Sequence, residues 1–233
     1  MSRFLTVENL TVSLDGEAII KDLNFELNQG ENLAIIGPNG SGKTVLLKTL
    51  LGLLPHQGEI RWTGNARLGY VPQKIDADRH LPLNLKNLLD AKTEILRLPK
   101  TDIRKVSEMV KLTPGILGTP IGHLSGGQFQ KALIALALLG NPNIILFDEP
   151  TASLDQLSEE HIYDLMRDLQ KNHGITVILV SHDLNVIYRY ATKVLCLNKE
   201  KICFGSPKVA LRPEVLSKLY SAPLKYYEHK HTG

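Results

Sequence analysis

Long apolar runs are missing from this chain. The best candidate, ALIALALL at 132–139, has eight residues, and a helix needs about 20 to cross a bilayer. No leader is expected before the first element, because Met1-Ser2-Arg3 runs directly into FLTVENLTVSL, which alternates like a strand. The expectation is a protein of the cytoplasm that meets a membrane only through a partner. Cysteine is almost absent. Cys196 and Cys203 lie on two short apolar runs, VLCL and ICF, with a turn at Asn198-Lys199-Glu200. Two thiols make no disulfide framework, so both are read as core residues rather than as a redox or metal pair. Charge of one sign is also scarce. A formal net charge of +3, with acidic and basic residues mixed throughout, argues against nucleic acid as a partner. There is no internal repeat, heptad run or low-complexity segment.

What is present alternates between strand and helix. Residues 4–14 and 19–27 read as two strands joined at Asp15-Gly16. LAIIG at 33–37 reads as a short buried strand that ends in glycines, and KTVLLKTLLGL then takes a helical period. GEIRW and RLGYVP are further strands, with Gly64-Asn65 as the turn. From Lys74 to His123 the character changes: NLKNLLDAKTEIL and TDIRKVSEMVKL are amphipathic and helical, punctuated by Pro82, Pro99, Pro114 and Pro120. NIILFDEP at 143–150 and TVILVSHD at 176–183 suit central parallel strands. Between them DQLSEEHIYDLMRDLQKNHG predicts a helix with Leu157, Ile162, Leu165, Met166 and Leu169 on its inner face and Gly174 as its stop. A short helix in DLNVIYRYA, a hairpin carrying the cysteines and two short helices follow. The alternation implies an α/β core with helices on its faces.

GPNGSGKT at 37–44 matches the phosphate-binding loop pattern in full. Its glycines let backbone N–H groups curl round phosphate oxygens, and the helix behind it points its N-terminus at the same charge. Gly37, Pro38, Asn39, Gly40, Ser41 and Gly42 form the cradle. Lys43 is placed to reach the β- and γ-phosphates, and Thr44 to offer an oxygen to Mg2+. Asp148-Glu149 ends a buried strand. Alone that pair is a weak signal; beneath a complete phosphate loop, Asp148 suits magnesium and Glu149 suits the attacking water. His182 follows another strand, where a γ-phosphate contact belongs. Gln73, after LGYVP, is a candidate for sensing magnesium or the attacking water. Ser125-Gly126-Gly127 opens an apolar helix and would form a second anion-cradling turn. That turn makes sense if it covers a nucleotide held by another copy of the chain.

Together these features resemble the nucleotide-binding subunits of ABC transporters. GPNGSGKT resembles the family's Walker A, LSGGQ at 124–128 its signature, ILFDEP its Walker B, and Gln73 its Q-loop. SLD at 153–155 resembles the D-loop and His182 the switch histidine. All stand in the family's order, over nearly the whole chain. The resemblance implies a P-loop NTPase fold of the ABC type: a parallel-sheet core, an N-terminal antiparallel β subdomain and an inserted helical subdomain. The 1–233 domain would divide into an antiparallel β part with the phosphate loop (1–73), a helical part with the signature (74–141) and the rest of the α/β core (142–233).

The resemblance also implies ATP and Mg2+ as cofactors, with Glu149, His182 and Gln73 catalytic and Thr44, Gln73 and Asp148 on the metal. A head-to-tail pair of copies would bring Ser125, Gly126, Gly127, Gln128 and Asp155 to each nucleotide. Integral membrane permease subunits, and indirectly a substrate-binding protein, would complete the machine at the cytoplasmic face of the membrane. Exposed apolar residues around 76–98 are expected where permease and ATPase touch.

Two departures stand out. The position where many members stack an aromatic on adenine looks like Leu14, and after the signature, where members often carry arginine, this chain has Lys131 and Leu136: Lys131 keeps the charge and Leu136 does not. HLPLNLKNLL at 80–89 and the ending VLCLNKEKICFGSPKVALRPEVLSKLY are most like the ATPases of zinc and manganese importers; an iron-chelate, cobalamin or other ABC importer is the alternative. An ABC ATPase of DNA repair or translation fits less well, because such proteins usually carry tandem cassettes or coiled-coil insertions. A binding module without hydrolysis sits badly with Glu149 and His182. His80, His123, His229 and His231 invite a zinc site, but a pair of histidines in a frayed tail has neither the ligand count nor the geometry. Magnesium is the sole metal expected.

Overall fold

The structure, a computed structural model, describes residues 3–73, 83–152 and 154–220. His80, His229, His231, Ser153 of the D-loop and the start of HLPLNLKNLL lie outside the described residues. The elements in chain order are β1 (Arg3–Leu14), β2 (Glu17–Asn28), β3 (Leu33–Ile36), α1 (Lys43–Leu50), β4 (Gln57–Trp62), β5 (Leu68–Val71), α2 (Leu85–Ile95), α3 (Thr101–Met109), α4 (Pro114–Leu117), α5 (Gly126–Leu138), β6 (Ile144–Asp148), α6 (Gln156–His173), β7 (Thr176–Val180), α7 (Leu184–Tyr190), β8 (Lys193–Asn198), β9 (Glu200–Gly205), α8 (Pro207–Ala210) and α9 (Pro213–Tyr220).

Two sheets form. β2-β1-β4 is antiparallel, and β5-β6-β7-β3-β8-β9 is parallel except for the antiparallel edge strand β9. The central strands are buried on both faces, so the two-residue alternation of side chains divides one strand between two cores. Ile144, Leu146, Ile178, Val180, Leu33, Ile35, Leu195 and Leu197 meet α1 and the antiparallel sheet. Ile145, Phe147, Val177 and Leu179 point the other way, into the layer built by α2, α3, α5 and α6. Ala34, Ile36, Val194 and Cys196 pack on α7, α8 and α9.

Two sequence expectations need correction. Leu157 is 63% exposed; at 100° per residue it sits about 140° round α6 from Ile162, off the stripe made by Ile162, Leu165, Met166 and Leu169. The cysteines are not free thiols: Cys196 and Cys203 are joined by a disulfide, Cα–Cα 4.8 Å. A register shift between Cys196 and Leu197 makes this possible. Leu197 opposes Lys201, so a regular ladder would set Cys196 against Ile202; the shift places Cys203 there instead.

Candidate functional site

The strand order and register assemble the site. Val71 pairs with Phe147, Asp148 with Val180, and Val180 with Ile35. Gln73, Glu149, His182 and the loop after β3 therefore line one edge of the sheet in that order, at the C-terminal ends of parallel strands. That is where open α/β sheets bind ligands.

Between β3 and α1 the chain turns through Gly40 (φ 78°) and Gly42 (φ 98°), conformations that favour glycine. Gly37 is required for a different reason: a Cβ there would lie 2.0 Å from the Leu197 carbonyl oxygen. The β8–β9 turn also braces the loop, with Lys199 N–H donating to the Ser41 carbonyl at 3.2 Å. Lys43 is buried under the loop and donates to the Gly37 and Pro38 carbonyls, both at 2.9 Å. Burial holds its ammonium below the usual lysine range, while Glu149 and then Asp148 pull in the opposite direction. The buried Ser41 hydroxyl has no hydrogen-bond partner among the described residues. A cationic ammonium, an unsatisfied hydroxyl and a helix N-terminus converge, and this donor set fits an anion of several oxygens.

The Thr44 hydroxyl donates to Asp148 at 3.1 Å. Tyr70 donates to the other carboxylate oxygen at 3.3 Å; burial first, then the Asp148 charge, push its phenol up to about 12. The Gln73 side-chain amide donates to Glu149 at 2.6 Å. Glu149 has φ +48°, an unusual state for a non-glycine residue, and its N–H is held by the Val180 carbonyl at 3.1 Å. His182 is exposed just past β7. Leu14 and Ile19 line the same cleft as Asn39, Gly40, Lys43, Thr44, Gln73 and Glu149. Tyr70 and Ile19 belong to no motif in the sequence; a polar-tipped aromatic on a short strand is the one sign of Tyr70.

Ser125 and Gln128 build a capping box at the start of α5: the Ser125 hydroxyl accepts the Gln128 N–H at 3.3 Å, and Gln128 Oε1 accepts the Ser125 N–H at 3.0 Å. The two glycines also serve packing within the chain. A Cβ on Gly126 would stand 3.0 Å from Leu154, and one on Gly127 3.0 Å from Ser158. Asp155 caps α6, accepting the Ser158 N–H at 2.9 Å and its hydroxyl at 2.7 Å; these bonds hold its carboxyl below the usual range. Exposed Ile95 and Leu96 close the C-terminal end of α2. His123 is exposed, and no cluster of metal-ligating side chains occurs among the described residues.

A family model described as "ABC transporter" matches residues 20–152. The chain is a member of the ABC transporter family. This cassette is 36% identical to "Zinc import ATP-binding protein ZnuC" of Magnetococcus marinus (strain ATCC BAA-1437 / JCM 17883 / MC-1), over 97% of the cassette and 88% of the relative. Among solved structures it is similar to an ABC transporter of metal-chelate type in an inward-facing conformation, at TM-score 0.85 and 29% identity, covering 95% of this chain and 90% of that one. It is also similar to a dimeric ATP-binding cassette in a post-hydrolysis state with ADP and Pi, at TM-score 0.73 and 25% identity, covering 87% and 98%. The cassette is thus an ATP-binding subunit of a transport system, an ATPase by class. No described helix is long and apolar enough to cross a membrane.

Proposed function

We propose that the cassette hydrolyses ATP to power import of a divalent metal ion, zinc or manganese, across the cytoplasmic membrane. The likeness to the zinc-import relative across 97% of the chain carries the cargo class. In this reading Gly37–Thr44 hold the phosphates, with the Lys43 ammonium exchanging its two backbone carbonyls for phosphate oxygens. Thr44, Asp148 and Gln73 would hold Mg2+; a hydroxyl, a carboxylate and an amide are the oxygen donors that ion takes. When bound, the ion neutralises phosphate charge.

Glu149 takes the proton of the attacking water after parting from Gln73, and His182 contacts the γ-phosphate. Ser125, Gly126, Gly127 and Gln128 of a second copy cover that phosphate, with Asp155 at the same head-to-tail interface. The cassette would sit peripherally on the cytoplasmic face against permease subunits, its exposed Ile95 and Leu96 among the contacts, and serve a substrate-binding protein at one remove. The likeness to a metal-chelate transporter favours chelated metal as the second cargo reading.

The test is disruption of the protein in its own cell, uptake of labelled zinc, manganese and iron, and complementation with the intact chain or Glu149→Gln. Loss of zinc or manganese uptake restored by the intact chain alone is the expected result; Glu149→Gln hydrolyses ATP about 10²–10⁴-fold more slowly. Normal uptake of both ions in metal-poor medium overturns the cargo reading.

A further inference from the structure

Asp148 closes β6 and is only 2% exposed. A carboxylate so buried needs donors, and two reach it from different elements. The Thr44 hydroxyl, in the first turn of α1, donates to one oxygen at 3.1 Å. The Tyr70 hydroxyl, on β5, donates to the other at 3.3 Å. Register accounts for the second contact. Tyr70 stands opposite Leu146 in the parallel pair β5–β6. Asp148 lies two residues beyond Leu146, so its side chain leaves the same face of the sheet, the one that meets α1. A neighbour two residues along the facing strand is within reach of an aromatic side chain.

The two donors occupy different places. Thr44 lines the cleft with Lys43, Gln73 and Glu149, whereas Tyr70 is not among the residues that line it. The phenol therefore approaches the carboxylate from within the sheet, and the threonine approaches it from the cleft. The last torsion of an aspartate side chain is broad. With Thr44 as its sole donor the carboxylate plane could rock about that bond. A donor on each oxygen fixes the plane. An ionised carboxylate has about four acceptor sites, so these two bonds leave it capacity for a further partner.

We propose that Tyr70 is a positioning residue for the divalent cation: by holding the second oxygen of Asp148, it sets the plane in which that carboxylate meets the ion. The proposal rests on the Mg2+ roles given to Thr44 and Asp148 above. Tyr70 touches neither ion nor nucleotide in this scheme. Its loss weakens the hold on the ion and spares the phosphate cradle, which is made by the loop backbone and Lys43.

The experiment titrates the whole chain, Tyr70→Phe and Asp148→Asn with a non-hydrolysable ATP analogue, once in saturating Mg2+ and once in excess EDTA. The ratio of the two affinities measures how much more tightly the site holds the ion than the free analogue does. Tyr70→Phe keeps the ring and removes only the donor. It is expected to lower the ratio about 3- to 10-fold, the scale of one hydrogen bond. Its affinity in EDTA stays within about twofold of wild type, which also reports an intact cleft. A wild-type ratio in Tyr70→Phe overturns the proposal, and so does a loss in EDTA as large as the loss in Mg2+, the mark of a residue that only packs. A lowered ratio in Asp148→Asn leaves the magnesium assignment standing in either case. A wild-type ratio in Asp148→Asn overturns that assignment and the proposal with it.

Discussion

Leu14, which the family resemblance sets at the position where many members stack an aromatic on adenine, lines the cleft beside Asn39 and Gly40. An aliphatic side chain can cover an adenine ring but cannot stack on it. Leu14→Tyr is expected to tighten adenine nucleotide binding by roughly two- to tenfold, the range of one added aromatic contact, read by fluorescence titration with ADP. Tyr70 and Tyr163 give a second prediction. Both phenols are held up to about 12, mainly by burial, against an unfolded value of about 10. Raised folded values mean the native state resists ionisation, so this stability is intact below pH ~10 and is lost as pH rises toward 12. Melting temperature should be flat from neutral pH to about 9.5 and then fall; the fall is weaker in Tyr163→Phe. These residues also mark the boundary of what could be read in advance. Gly37–Thr44 were legible because the chemistry is contiguous in sequence. Tyr70 was not, because it acquires its meaning from Asp148 on another strand, and a lone tyrosine in a strand carries no sign of whom it will meet.

The same contrast holds for elements. The strands of the central sheet were legible because residues buried on both faces leave unbroken apolar runs, and α6 because Ile162, Leu165, Met166 and Leu169 repeat at helical spacing. Leu157 misled because an apolar residue in a first helical turn looks like part of the stripe until its angle is counted. The β8–β9 hairpin was legible as a hairpin but not as a bridge: which residue faces Cys196 depends on one register shift, and composition does not report register. The disulfide ties a hairpin whose Lys199 braces the phosphate loop. Closing so short a loop stabilises by about 2 kcal/mol in the chain-entropy picture. Reduction, or Cys196→Ala with Cys203→Ala, should lower the melting temperature by roughly 4–8 °C for a chain of this size, with cooperative unfolding retained. Melts with and without a dithiol reductant check it.

On the scale of the whole molecule, sheet order and chain order disagree. β3, which launches the phosphate loop, pairs with β7 on one side and β8 on the other. Its partners occupy residues 176–180 and 193–198, and β3 itself occupies 33–36. A ribosome adding about 5–20 residues per second leaves that strand without neighbours for roughly 7–30 seconds. The antiparallel hairpin of β1 and β2 can close during that wait; the phosphate cradle cannot. A chain stopped at His173 should therefore show neither protease resistance around residues 33–50 nor protection by ATP, whereas the whole chain shows both, as limited proteolysis of the two products would reveal. The nascent polypeptide thus stays blind to nucleotide until most of its length has emerged. An arrested or truncated product would hold no ATP and could not lock a permease in an idle complex.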